Sequence, residues 1–312
     1  MNRVAISFVI PAFNEERDLP NVLKSIEDYM PADLSYEVVV ADNGSTDSTV
    51  SLARKSGAYV LVDESATVAR LRNIAVREAH GEVLVFLDAD ISLTRQWGAN
   101  IFGVYQSILS DPNIITGSRC GIPSEPSWIE RVWFKPLIHK PGKYINSGHM
   151  ITSRALFDQL GGFNESLETG EDYAFGVSAQ ALDATIVNNT SLPVVHYGYP
   201  KTICQFMRRE MWHGRGDCES IRSIMSSNVA LASIIFVMLH LVFIVGIFLL
   251  SYILAGVASS AIIIMCVSSA LYKYDAQAGK NLMLISLLYY LYYLSRFLSC
   301  ISVINVSPAR RV

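Results

Sequence analysis

Between Arg222 and Lys273 the chain carries no Asp, Glu, Lys or Arg. A membrane-crossing helix needs about 20 predominantly apolar residues, and residues 228–254 and 255–272 are each long enough for one. Asn281–Val306 is a third apolar stretch, interrupted by Arg296. Charge deep in a lipid-facing span is costly, and Tyr289, Tyr290, Tyr292 and Tyr293 favour a membrane interface near the middle of that stretch. Its length tips the reading toward a third span. Residues 223–312 are therefore expected to form a membrane domain of two or three helices. The third helix decides on which side Arg310 and Arg311 end.

The apolar excess is local. The chain is 51% hydrophobic and 17% charged, against about 25% charged in soluble domains. From Ser223 onward Lys273, Lys280, Arg296, Arg310 and Arg311 stand against Asp275, a net of +4. The whole chain carries −3, so residues 1–222 carry about −7. An acidic domain argues against nucleic acid as the main partner, because binding phosphate chains normally needs a basic face. The opening run to Pro11 is too short for the apolar core of a signal peptide. The polar part is thus expected on the cytoplasmic side. The five cysteines form no CxxC pair and suggest neither a zinc site nor a disulfide framework.

The first hundred residues alternate two periodicities. Val4–Pro11, Tyr36–Ala41, Ala58–Val62 and Glu82–Leu87 read as buried strands. Glu15–Met30 has Leu19, Val22, Leu23 and Ile26 on one helical face. Asp47–Ser56, capped by Asp47 or Ser45, and Ala66–His80 read as further helices. Continuous apolar strands separated by helices predict an α/β fold with a mostly parallel, Rossmann-like sheet covered on both faces. Ligands bind such sheets at the carboxyl ends of the strands. The polar clusters Asn14-Glu15, Asp42-Asn43 and Asp88-Ala89-Asp90 fall there. Farther on, Ile145–Ser153 and Ala184–Val187 read as strands. Arg154–Leu160, stopped by Gly161-Gly162, and Tyr173–Leu182 read as helices. Arg119–Tyr144, with Trp128, Trp133, Phe134, Lys135, His139, Lys140 and Lys143, has no period and suggests a lid or docking loop. Lys201–Arg222 reads as an interfacial amphipathic segment.

Asp88 and Asp90 carry the strongest chemical signal. Two carboxylates one residue apart, just past a buried strand, can share a hard cation. Mg²⁺ and Mn²⁺ favour oxygen ligands and are commonly shared between carboxylates and substrate phosphates. Such an ion neutralises charge on a departing diphosphate. The pattern alone also fits two solvated turn carboxylates.

Six motifs then occur in order. Val9-Ile10-Pro11-Ala12-Phe13-Asn14-Glu15-Glu16 resembles the opening of family 2 glycosyltransferases. Val40-Ala41-Asp42-Asn43-Gly44-Ser45-Thr46-Asp47 resembles their second strand and turn. Arg72-Asn73 and Phe86-Leu87-Asp88-Ala89-Asp90 follow. Gly161-Gly162-Phe163-Asn164-Glu165 and Gly170-Glu171-Asp172 resemble the acceptor-side motifs. The resemblance covers roughly residues 4–215. It implies a GT-A fold over 1–200, followed by the interfacial segment 201–222 and the membrane helices.

The same resemblance assigns roles. Pro11, Ala12 and Glu15 would line the nucleotide pocket, and Asp42 would accept a hydrogen bond from the base. Arg72 would pair with the donor diphosphate, Asp88 would meet the ribose side, and Asp90 would hold Mg²⁺ or Mn²⁺ with Asp88. Asp172 would be the general base of an inverting transfer; an alcohol is a poor nucleophile until its proton is taken. His196 would complete the metal shell, or serve as a satisfied structural histidine. Gln205-Phe206-Met207-Arg208 partly matches a membrane-proximal Gln-x-x-Arg-Trp, with Arg209 in place of the Trp. Arg208 would touch the diphosphate, or form a basic rim at anionic headgroups.

The expected protein is a multi-pass enzyme of the cell's inner membrane. It would transfer one sugar at a time from a nucleotide-sugar donor to a saccharide or lipid-linked acceptor. Membrane lipid is its other expected partner, and oligomerisation is left open. Transfer to a polyprenyl phosphate, or a non-catalytic role in polysaccharide assembly, are the competing readings.

Overall fold

The computed structural model describes residues 4–138, 140 and 144–305. His139, Lys143, Val306, Arg310 and Arg311, singled out above, lie outside the described residues. The chain divides into two compact units. One holds the residues through Glu125 and Ile138–Tyr199, the other Pro126–Leu137 and the residues from Pro200.

The first unit alternates β1 (Ile6–Ala12), α1 (Leu19–Tyr29), β2 (Tyr36–Asp42), α2 (Thr49–Lys55), β3 (Tyr59–Val62), α3 (Val68–Glu78) and β4 (Val83–Leu87). It continues through β5 (Ile91–Leu93), α4 (Arg95–Ser110), β6 (Ile114–Gly117), β7 (His149–Ser153), α5 (Arg154–Gln159), α6 (Glu171–Gln180), β8 (Thr185–Asn188) and β9 (Val194–His196). The main sheet has seven strands in the order β3-β2-β1-β4-β7-β6-β8. β1 pairs in parallel with β2 and β4, β2 with β3, and β6 with β8. β7 is antiparallel to both neighbours, β4 and β6. A short second sheet pairs β5 with β9.

Strand β4 shows why this layering forms. Val83, Val85 and Leu87 enter one core with Leu19, Val22 and Ile26 of α1 and Trp97 and Ile101 of α4. Leu84 and Phe86 enter the other with Ala69 and Ala75 of α3, Phe157 of α5 and Phe175 of α6. All five strand residues are fully buried. Each such side chain contributes roughly 1.5–3 kcal/mol relative to exposure.

Two helix starts differ from the sequence reading. α1 begins at Leu19, not Glu15, with a proline in its first turn. The residues before it bond sideways: the Glu15 amide donates to Thr49 Oγ1 (2.7 Å) and the Glu16 amide to Asp47 Oδ2 (3.2 Å). α2 begins after Ser48, whose own side chain makes no capping bond. Asp47 Oδ1 accepts from the Thr49 amide at 2.9 Å instead, while Ser45 serves Asp42.

In the second unit, α7 (Ile203–His213) opens on a capping box formed by Thr202 and Gln205. After the turn Gly216–Cys218 come α8 (Ile221–Ser226), α9 (Asn228–Phe248), α10 (Tyr252–Tyr274), a 3-10 turn Asp275–Asn281 and α11 (Leu282–Asn305). Among the described residues, three helical segments, Asn228–Phe248, Tyr252–Tyr274 and Ala278–Ile301, are long and apolar enough to cross a membrane. Pro126–Leu137, inside the span assigned above to the catalytic domain, group with this unit. Trp133, only 2% exposed, packs edge-on against Phe206 and tilted against Tyr274, Tyr289 and Tyr292. Cys218 and Cys300 are joined in a disulfide across 82 positions, correcting the expectation of none. Their pairing follows from tertiary packing of α11 and leaves no local spacing signal.

Candidate active site

The loops after β1, β2 and β3 are tied together at the carboxyl end of the sheet. Asp42, fully buried, accepts from the Ser45 amide (2.7 Å) and the Ser45 hydroxyl (2.5 Å). That hydroxyl also accepts from the Asn14 amide at 2.8 Å, and Asn14 Oδ1 accepts from the Thr46 amide at 2.9 Å. Asn14 has φ +55°, a left-handed geometry that Asn tolerates through its short polar side chain. Asn43 Oδ1 takes the Ala66 amide. Pro11 and Ala12 end β1 beside Ala41 and Asp42. The three loops thus form one hydrogen-bonded rim with Glu15 on it.

Asp88 and Asp90 follow β4 directly. Asp88 Oδ1 accepts from Arg72 Nη2 at 2.7 Å. Asp90 Oδ1 is buried and has no hydrogen-bond partner among the described residues. Burial, then the charges of Asp88 and Glu15, push the Asp90 carboxyl well above its ordinary range. Glu15 is lifted to about 7, by burial first and then by Asp18, Asp88 and Asp47. Mutually repelling, partly desolvated carboxylates with an orphaned oxygen fit a site that takes a cation. Among the described residues no group of three or more His, Cys, Asp or Glu side chains converges on one point. Mg²⁺ and Mn²⁺ typically use one or two protein carboxylates and fill the remaining positions with water and substrate phosphate.

β9 brings His196 to this edge. Ile91 pairs with His196 across the small sheet. His196 Nε2 lies 3.6 Å from Asp90 Oδ2, and its ring stacks on Tyr199 at 4.0 Å. Gly198 presses on the same carboxylate: a Cβ there would stand 1.8 Å from Asp90 Oδ2. Gly198→Ala is therefore expected to rotate Asp90 out of place and, if this carboxylate serves a metal-dependent donor site, to weaken Mn²⁺-dependent donor binding about tenfold, roughly 1.4 kcal/mol. Circular dichroism should be unchanged, since only a carboxylate tip must move. Wild-type donor affinity in that variant would show that Asp90's position is not held by this contact.

Arg72 is 2% exposed. It donates from Nη1 to Glu171 Oε1 and from Nη2 to Asp88 Oδ1, both at 2.7 Å. Expected at the donor diphosphate, it bridges two carboxylates from different elements. Its neighbour Asn73 clamps the next motif: Nδ2 donates to the Phe163 carbonyl and Oδ1 accepts from the Phe163 amide.

Asp172 sits in the first turn of α6, which Gly170 opens at φ +83°. Asp172 Oδ2 accepts from Asn146 Nδ2 at 2.8 Å, and Oδ1 accepts from the Tyr173 amide at 2.7 Å. Glu171 also takes the Ser147 hydroxyl at 3.1 Å. Burial, then Glu171, raises the Asp172 carboxyl to about 6. Asn146 and Ser147 were missed from the sequence. The available signal was a polar triplet, Asn146-Ser147-Gly148, delaying the strand that begins at His149. Arg208 is exposed on α7, in the second unit, and Gln205 of its motif is spent on the helix cap. His149 is a satisfied core histidine, accepting from Trp97 Nε1 at 2.9 Å.

Residues 7–158 match the family model described as glycosyl transferase family 2. Over these residues the chain is similar to a family 2 glycosyltransferase domain. Over 98 residues it is 35% identical to glycosyltransferase AglE of Haloferax volcanii, covering 30% of this chain and 32% of that one. Over another 98-residue match it is 38% identical to glucosyl-3-phosphoglycerate synthase of Mycobacterium tuberculosis, covering 28% and 29%. The chain spans about a third of the length of these curated relatives. Its fold is similar to that of the mannosyltransferase PcManGT from Pyrobaculum calidifontis, solved with GDP-Man and Mn²⁺. The TM-score is 0.57 over 95% of this chain and 86% of that one, at 19% identity. The first unit has a GT-A-like fold, with an antiparallel β7 inside an otherwise mostly parallel sheet.

Proposed function

We propose that this protein transfers a single sugar, with inversion, from a nucleotide-sugar donor to a hydroxyl of a saccharide or lipid-linked acceptor. The observation that carries the reading is the ion-pair chain Asp88–Arg72–Glu171. One buried guanidinium ties the carboxylates beside the donor rim to the helix start that bears Asp172. The two halves of a group transfer are thereby held in fixed register.

In this reading Asp42 and Glu15 face the nucleoside from the tied loops. Asp90 and Asp88 would hold Mg²⁺ or Mn²⁺, which when bound neutralises the leaving diphosphate. Asp172 takes the proton of the acceptor hydroxyl while that oxygen bonds to the anomeric carbon. The bond from that carbon to the diphosphate oxygen breaks, and the nucleoside diphosphate leaves. A base this carefully held favours a hydroxyl acceptor over a polyprenyl phosphate, whose oxygen is already ionised. His196 completes the metal shell beside Asp90 or serves as a satisfied structural histidine, and Arg208 would touch the diphosphate or form a basic rim at anionic headgroups. The apolar C-terminal helices anchor the enzyme in a cell membrane, with the catalytic unit in the cytoplasm and α7 at the interface.

Calorimetric titration of UDP, GDP and dTDP sugars, with Mn²⁺, into detergent-purified protein tests this. One nucleotide sugar should bind only with the metal, and Asp90→Ala should abolish that binding. A folded sample that binds no donor would overturn the reading in favour of a non-catalytic assembly subunit. Long homopolymer in a product-length assay would overturn single addition.

A further inference from the structure

We propose that α11 does not cross the membrane. It lies along the interface, on the side where α9 begins and α10 ends, so that α9 and α10 alone form the crossing hairpin. The inference rests on the membrane anchoring proposed above.

The contacts of α11 fix its course. α9 and α10 are antiparallel, with Gly246 near the end of α9 packed on Ala255 near the start of α10. The start of α9 and the end of α10 therefore share one end of the hairpin. Tyr289 of α11 meets Trp133, which also meets Tyr274, the last residue of α10. Cys300 is bonded to Cys218 and clusters with Ala230, near the first residue of α9. Tyr289 and Cys300 are thus both held at the same end of the hairpin. At 1.5 Å per residue a spanning helix would change depth by about 16 Å between them.

Between these points α11 has two working faces. Tyr290 and Tyr293 reach into the hairpin: Tyr290 Oη lies 2.9 Å from His240 Nε2, and Tyr293 Oη lies 2.6 Å from Ser269 Oγ. Tyr292 and Arg296 face the polar end. Arg296 pairs with Glu210 of α7 (2.9 Å) and Asp217 (3.3 Å), and its guanidinium stacks over Tyr292 at 4.9 Å. Glu210 is 2% exposed and pairs also with Arg209 at 2.8 Å. Burial opposes its charge, but the nearby Arg209 and Arg296 hold its carboxyl below the ordinary range. α7 and the Gly216–Cys218 turn carry too many charges to lie in hydrocarbon, so Arg296 must lie at their level. Lys273 over Trp133 at 4.7 Å adds the cation and aromatic pairing of an interface belt.

The surface this leaves fits the headgroup–acyl boundary of a phospholipid bilayer. Met283, Leu287 and Ile301 are exposed on α11, and the helix is the least apolar of the three candidates. Interfacial helices bury such a face about 5–10 Å deep and keep their charges in the polar layer.

Site-directed spin labelling of the full chain in phosphatidylglycerol-containing vesicles tests this. Cys120, Cys204 and Cys266 are first replaced by Ala. Single cysteines then carry labels at Met283, Leu287, Leu294, Leu298 and Ile301 on α11, and at Leu231, Ile235, Val242 and Phe248 on α9. Depth is read from oxygen against nickel accessibility. The α9 labels should pass through a maximum near the bilayer centre, and that result alone reports the anchoring. The α11 labels should stay within about 5 Å of one shallow depth. A maximum at Leu294 as deep as that on α9 would overturn the interfacial placement while leaving the anchoring intact. Shallow α9 labels would overturn the anchoring itself.

Discussion

Asp172→Asn is expected to lower kcat by about 10²–10⁴-fold while leaving metal-dependent donor affinity unchanged. The substitution keeps the shape of the side chain and an oxygen for Asn146 Nδ2 to donate to. What it removes is the ability to take a proton. The donor rim lies on other elements, β1, β2 and β4, so binding of nucleotide sugar should persist. Single-turnover rates and calorimetry on the same preparation separate the two effects. The pH profile of the wild type supplies an independent check. Burial and Glu171 raise the Asp172 carboxyl to about 6 in the fold. A base acts only when ionised, so kcat/KM should rise about tenfold per unit below that value and level off above it. In Asp172→Asn the residual rate should lose this limb. A variant with wild-type kcat, or with the limb intact, would remove Asp172 from the chemistry.

Much of the first unit was legible because its signals are local. The strands are unbroken apolar runs, and Leu19, Val22, Leu23 and Ile26 mark one helix face; all four are buried. The positions of Asp42, Asp88 and Asp90 followed from the rule that polar groups cluster where parallel strands end. The partnerships were not legible. Nothing in the stretch around Arg72 announces that it meets Glu171 across 99 positions, because an ion pair between α3 and α6 depends on tertiary packing alone. Gly198 looks like any turn glycine until the chain brings it onto Asp90. The same holds for Cys218 with Cys300 and for Arg296 with Glu210. Arg296, a lone charge in an apolar run, read as a cost; its partners lie 79 and 86 positions away. The antiparallel β7 escaped for a related reason, since strand direction depends on a long connection without periodicity.

Arg72→Met should produce a large loss of stability in the catalytic unit. The guanidinium is 2% exposed and satisfies two carboxylates. Met fills much of the same volume, so the cavity cost is small. The charge cost is not: Glu171, 6% exposed, would keep only the Ser147 hydroxyl at 3.1 Å. Removing one partner of a buried pair costs about 3–5 kcal/mol. Asp88, whose side chain is 34% exposed, adds less because solvent screens it. At roughly 2–4 °C per kcal/mol for a chain of this size, Tm should fall by about 6–20 °C. Arg72→Lys should recover part of this, because a single ammonium retains charge but cannot fork to both carboxylates. The double variant Arg72→Met/Glu171→Gln separates charge from packing. If the loss arises from an orphaned carboxylate, removing that charge should restore most of the lost Tm, a strong non-additivity between contacting residues. If the double variant melts as low as the single one, the arginine acts through its packing between α3 and α6. The ion-pair chain would then no longer be what holds the donor and acceptor halves in register.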